Sequence, residues 1–205
     1  NKIIKFFNKE LESENNTYFS EIHLKVPDCC NLINEKIKNK LKSLLRTNNI
    51  KLCQVELHVL KKYGDEIPHH QDNFYHCTNP AEGVKILIPL NDLDVKSGGL
   101  IFLNCEKNFQ TINHISSSVK NFSSYIPKTT INSLNLSEQY YKYSIGDISY
   151  HFYSSIHYSL GNKSSSTKYF LVYRFENQKA KVSIKALKKY ELNKIQYKKN
   201  LSKKI

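Results

Sequence analysis

From Lys51 to Leu60 the chain alternates, with Cys53, Val55, Leu57 and Val59 on one side and Gln54, Glu56 and His58 on the other. Period-two alternation sends successive side chains to opposite faces of a strand, so this segment belongs in a sheet whose apolar face is covered. Its polar face has two readings: exposure to solvent, or the lining of a polar cavity. Further short apolar runs occur at close spacing, at Val84 to Leu90, Leu100 to Leu103, Tyr143 to Tyr153 and Tyr169 to Phe175, separated by turn-forming stretches such as Gly98-Gly99 and Gly161 to Thr167. Residues 104 to 143 are polar and weakly periodic, and read as a long excursion between strands. Only one amphipathic helix stands out, where Ile33, Ile37, Leu41 and Leu45 recur every fourth position behind a candidate cap at Asp28. The pattern predicts a mainly β, jelly-roll-like sandwich or barrel with N-terminal helical structure packed outside the sheet.

A length of 205 residues gives room for one sizeable domain and hardly for two. The net charge of +13 points toward a polyanion partner, but its distribution weakens that reading. Residues 179–205 hold ten lysines and one acid, Glu191, so nine of the thirteen excess charges lie there. Arg46 and Arg174 are the only arginines. We read residues 1–178 as the domain and 179–205 as a basic C-terminal tail, helical or disordered and solvated; a nucleic-acid partner stays open without being favoured. The five cysteines show no C-x-x-C spacing, and Cys29 adjoins Cys30, which predicts reduced thiols and a cytoplasmic setting. No run approaches the roughly 18 apolar residues of a membrane span. The opening Asn1-Lys2-Ile3-Ile4-Lys5-Phe6-Phe7 lacks the apolar centre of a signal peptide. Met is absent, so Asn1 reads as a fragment boundary.

His70 and Asp72 are two apart, so on a strand both side chains leave one face. A neutral imidazole and a carboxylate, joined by a second, distant His, make the facial triad that holds Fe(II) and leaves positions open for substrate and oxygen. With eight His in the chain such a pair arises readily by chance, and the weight comes from residues farther downstream, taken in order. His157 lies 87 residues beyond His70, and Lys168 lies 11 beyond His157.

At this point the sequence resembles the phytanoyl-CoA dioxygenase-like branch of the Fe(II)/2-oxoglutarate-dependent oxygenases. His70-Gln71-Asp72 is similar to that branch's H-Q-D, preceded by Pro68. Asn91-Asp92-Leu93-Asp94 and Gly98-Gly99-Leu100 resemble its acidic turn and glycine step, and Gly146-Asp147 its G-D before the distal ligand. His157-x-Ser159-x-x-Asn162, with a cation at Lys168, resembles its H-x-S-x-x-N followed by Arg at the same spacing. The likeness covers about residues 54 to 175.

The resemblance implies a double-stranded β-helix over residues 1–178, with Fe(II) held by His70, Asp72 and His157. It implies 2-oxoglutarate as cosubstrate, chelating the metal through its keto-acid end, and O2 as oxidant. The outcome would be hydroxylation of a small-molecule or acyl-type substrate with release of succinate and CO2. The far carboxylate of 2-oxoglutarate needs a fixed cation, for which Lys168 fits the spacing and Arg174, of the same parity, is the alternative; Ser159 and Gln54 are further candidates for cosubstrate contact. Asp72 argues against a halogenase, whose pattern carries Gly or Ala there. His69, His76, Cys77 and His151 read as structural.

Where relatives carry P-G-S-H after the glycine step, this chain has Asn104-Cys105-Glu106-Lys107-Asn108. Tyr63-Gly64-Asp65 and a lysine cation are also similar to prolyl 4-hydroxylases, which keeps a peptide substrate open. Lys168 and Arg174 echo the paired arginines of nucleic-acid demethylases, ranked third. A reading from another class is a jelly-roll binding protein without chemistry.

Overall fold

The computed structural model describes residues 18–105, 109–119 and 121–203. In chain order its strands are β1 (Tyr18–Phe19), β2 (Ile50–Leu60), β3 (Ile67–Gln71), β4 (Gly83–Pro89), β5 (Ile101–Leu103), β6 (Ile115–Ser116), β7 (Ser124–Tyr125), β8 (Glu138–Tyr140), β9 (Ser149–Phe152), β10 (Ile156–Ser159) and β11 (Lys168–Asn177). The α-helices are α1 (Ile22–Lys25), α2 (Glu35–Leu45), α3 (Asn73–His76), α4 (Lys128–Ser133) and α5 (Ile184–Ser202). The strands form a five-stranded sheet ordered β1-β2-β11-β4-β9, a four-stranded sheet ordered β3-β10-β5-β8, and the ribbon β6-β7. All their pairings are antiparallel.

Alternation decides what each face of the larger sheet buries. Val55, Leu57 and Val59 of β2 join Leu171, Tyr173 and Phe175 of β11, and Val84, Ile86 and Ile88 of β4, in one apolar cluster capped by Ile33, Ile37 and Leu41. The opposite face gives Leu87, Phe170 and Val172 to a second cluster with Leu93, Leu100 and Tyr143. A third cluster, Leu103, Ile126 and Ile156, packs against Phe109, Ile112, Ile131 and Leu134 of the excursion.

The helix before β2 starts later than expected. Pro27–Leu32 form a 3-10 turn, and the cap is Asn34, not Asp28. Asn34 has extended backbone, and its side chain accepts the Ile37 N–H at 3.1 Å, satisfying one donor of the first turn. Asn34→Ala is expected to cost about 1 kcal/mol, read as a lower urea midpoint.

Tyr143 to Tyr153 is not one strand. Tyr143 bridges Leu93, the chain turns through Gly146 at φ +102, and only Ser149–Phe152 pairs with β4. Strands β3, β8 and β10 have no counterpart in the sequence pattern, because runs of three to five residues are too short to display alternation. Helix α5 lies against the body of the protein: Tyr190 meets Phe74 and Tyr75 edge-on, and Asn193 Nδ2 donates to the His114 carbonyl at 3.0 Å. Among the described residues no helix is long and apolar enough to cross a membrane. All five cysteines are free.

Candidate metal centre

Antiparallel register brings the two histidines together. His157 of β10 is the direct partner of His70 in β3, and their rings lie 4.1 Å apart. Asp72 is placed differently from a strand residue: β3 ends at Gln71, and Asp72 turns with α-helical backbone into α3. One ligand atom from each of His70, Asp72 and His157 lies within 4.8 Å of the others, and all three residues are buried.

The hydrogen bonds fix the chemical state of each donor. His70 Nδ1 contacts the Pro68 carbonyl at 2.9 Å, and His157 Nδ1 the Ser155 carbonyl at 3.1 Å. A carbonyl only accepts, so each Nδ1 carries the proton and each Nε2 presents a lone pair. Burial pushes both imidazoles down, His70 well below the usual range and His157 to about 4, which keeps them neutral. For Asp72, burial alone would raise the carboxyl, but Lys85 and His151 outweigh it and hold the group well below the usual carboxylate range. Lys85 Nζ donates to Oδ1 at 2.7 Å and His151 Nε2 to Oδ2 at 3.1 Å. His157 Nε2 stands 4.0 Å from that same Oδ2. Two neutral imidazoles and one ionised carboxylate converging on a point are a donor set that fits a divalent first-row metal.

The residues expected to serve a cosubstrate fall into two groups. Lys168 pairs with Leu60 at one end of the β2-β11 ladder, and Gln54 pairs with Arg174 well along it. Six residues separate Lys168 from Arg174, about 20 Å along the strand. Gln54 and Lys168 therefore do not converge. Ser159 is buried; its hydroxyl donates to the Gly98 carbonyl and accepts the Gly161 N–H, both at 3.1 Å. Lys168 has no ion-pair partner among the described residues. Arg174 lies one strand from Lys85, in a row across the sheet that runs Gln54, Arg174, Lys85, His151.

The polar face of β2 turns inward. Glu56 is 4% exposed, bonded to Tyr18 and His58, and held down to about 2: burial opposes this, while Lys85 and His58 outweigh it. His69 stacks on Tyr158 at 4.0 Å, on the other side of β3 from His70. His151 and His76 do more than pack: the first touches Asp72, and the second accepts from Arg174 Nη1 at 3.0 Å. Lys85 is not singled out by the sequence pattern, although a lone lysine inside the apolar run Val84 to Leu90 is the available signal. Phe122 meets the His70 ring at 4.8 Å and Phe102 meets the His157 ring at 5.6 Å, giving the centre aromatic walls. A separate cavity of about 790 Å3, lined among others by Leu45, Phe74, Phe109 and Phe152, includes none of the three donors.

No protein-family model and no curated protein matches the sequence. Solved structures do share the fold. EvdO2 from Micromonospora carbonacea var. aurantiaca aligns over 82% of this chain and 69% of its own, at 16% identity and a TM-score of 0.65, and has also been solved with 2-oxoglutarate. EctD from S. alaskensis, with 2-oxoglutarate and 5-hydroxyectoine, aligns over 89% of this chain and 68% of its own, at 12% identity and a TM-score of 0.71. The epimerase SnoN, in complex with Fe3+, alpha ketoglutarate and nogalamycin RO, aligns over 87% and 75%, at 11% identity and a TM-score of 0.69. The chain thus has the fold of proteins that hold iron and 2-oxoglutarate, together with a triad that could bind a metal.

Proposed function

We propose that this chain is an Fe(II)/2-oxoglutarate-dependent dioxygenase of the phytanoyl-CoA dioxygenase-like branch, acting on a small-molecule substrate, and that its two larger sheets form a double-stranded β-helix. The observation that carries the reading is the donor set: His70 and His157 with Nδ1 tied to carbonyls, and Asp72 kept ionised between Lys85 and His151. A ferrous ion with 2-oxoglutarate would couple loss of CO2 and formation of succinate to oxidation of the substrate by O2.

The chain's own residues prepare that chemistry. His70 and His157 offer Nε2 without first losing a proton, and Lys85 occupies Oδ1 of Asp72 so that Oδ2 is the oxygen turned toward His157. Phe102 and Phe122 keep water from the imidazoles. To the far carboxylate of 2-oxoglutarate we assign Lys168, with Ser159 as a further contact, in line with the resemblance in spacing; Lys168 shares one face of β11 with Phe170 and Val172. The ligands of SnoN and EctD, nogalamycin RO and 5-hydroxyectoine, support a metabolite over a peptide as substrate, and hydroxylation is the expected outcome.

Anaerobic titration of the full chain with Fe(II) and then 2-oxoglutarate is expected to raise a weak visible charge-transfer band. Its absence would favour a binding protein on the same scaffold. Lys168→Ala is expected to raise the 2-oxoglutarate concentration for half-maximal band intensity by about 10- to 100-fold, the worth of one charge-assisted hydrogen bond.

A further inference from the structure

A guanidinium N–H buried without an acceptor is costly, and half-buried Arg174 carries one at Nε. Among the described residues its one hydrogen-bond partner is His76, and its buried Nε–H has no acceptor. The contact with His76 fixes a second unpaired donor. Arginine can only donate, so His76 Nδ1 accepts, the ring proton sits on Nε2, and that buried Nε2–H also lacks a partner. Burial, with Lys85 nearby, keeps the imidazole neutral by pushing it down to about 3. The carboxylates of the neighbourhood are already engaged, Asp72 by Lys85 and His151, Glu56 by Tyr18 and His58. Two orphaned N–H donors and a full positive charge therefore lie on two side chains in contact with one another, one strand from the lysine that grips Asp72.

We propose that Arg174 and His76 form a carboxylate-binding subsite for the substrate, so that the substrate of this enzyme is an organic acid. The inference rests on the dioxygenase reading, with 2-oxoglutarate anchored at Lys168. The strand length decides the division of labour: Arg174 and Lys168 lie about 20 Å apart along β11, too far for one short dicarboxylate to serve both, and the subsite near Asp72 is where a substrate must place the carbon to be oxidised. A guanidinium edge matches the two oxygens of a carboxylate in its plane, which an ammonium does not.

Bromide serves as the anion probe. Crystals of the full chain with Mn(II) and 2-oxoglutarate, soaked in sodium bromide, are expected to show an anomalous peak beside Arg174 Nε and the far carboxylate of 2-oxoglutarate at Lys168. The peak is expected to vanish in Arg174→Gln. In solution, Arg174→Gln is expected to keep the dissociation constant for 2-oxoglutarate within about twofold of the unaltered chain. No bromide at Arg174, or a peak that persists in Arg174→Gln as an adventitious ion only, would overturn the proposal. So would 2-oxoglutarate itself lying on Arg174, or a tenfold loss of 2-oxoglutarate affinity in Arg174→Gln. Bromide at Arg174 in a chain that binds no 2-oxoglutarate would instead sink the dioxygenase reading and leave the anion subsite standing.

Discussion

Asp72→Ala is expected to lose metal binding and, with it, about 3–5 kcal/mol of folding stability. The second effect is the less obvious one. Lys85 Nζ sits 2.7 Å from Asp72 Oδ1, with 14% of its side chain exposed, and removal of the carboxylate leaves a buried ammonium with Glu56 as its remaining counter-charge. His151 Nε2 loses its acceptor in the same step. Urea unfolding of the apo chain measures the loss, and calorimetric titration with Mn(II) measures the metal. The double variant Asp72→Ala/Lys85→Met is expected to recover most of the stability and none of the metal affinity. An Asp72→Ala chain as stable as its parent would show that Lys85 finds water or another partner, and the ion pair would lose its structural role.

Gln71→Leu is expected to cost about 3 kcal/mol, since one buried and two part-buried backbone groups each lose a hydrogen bond worth about 1 kcal/mol. Gln71 is fully buried, on the side of β3 opposite His70. Its Nε2 donates to the carbonyls of Gln110 and Ser154 at 3.0 and 2.8 Å, and its Oε1 accepts the Ile112 N–H at 2.7 Å. One side chain thus ties the excursion and the turn before β10 to the strand that carries His70. Leucine fills the volume and satisfies none of these groups. Limited proteolysis is expected to cut the variant between residues 109 and 114 well below its unfolding midpoint; a parent-like cleavage pattern would contradict the tethering role.

The sequence carries the identities of the candidate metal donors but not the reason they meet. Spacing singles out His70, Asp72 and His157, yet their convergence depends on the His70–His157 register, made by a four-residue strand that no periodicity reveals. The parity of β2 is legible, and its apolar side is core; that Glu56 is buried on the other side, bonded to Tyr18 and His58 and near Lys85, depends on residues far apart in the chain. Gln54 and Lys168 are both cosubstrate candidates in the sequence, Lys168 for its spacing from His157. Antiparallel pairing runs the two strands past each other, so an early residue of β2 meets a late residue of β11, and Gln54 lands on Arg174. Lys85 and His151 act through Asp72 from neighbouring strands, and only the sheet order makes them adjacent.

Helix α5 braces the wall over the histidines: Asn193 and Asn200 hold the backbone at His114 and Ser117, and β6-β7 carries Phe122 between them and His70. On the ribosome, residues 184–202 emerge only after all three donors have been synthesised. The three candidate donors therefore leave the ribosome before the helix that buttresses the Phe122 wall, and the cover over His70 is the last part of the site to be completed.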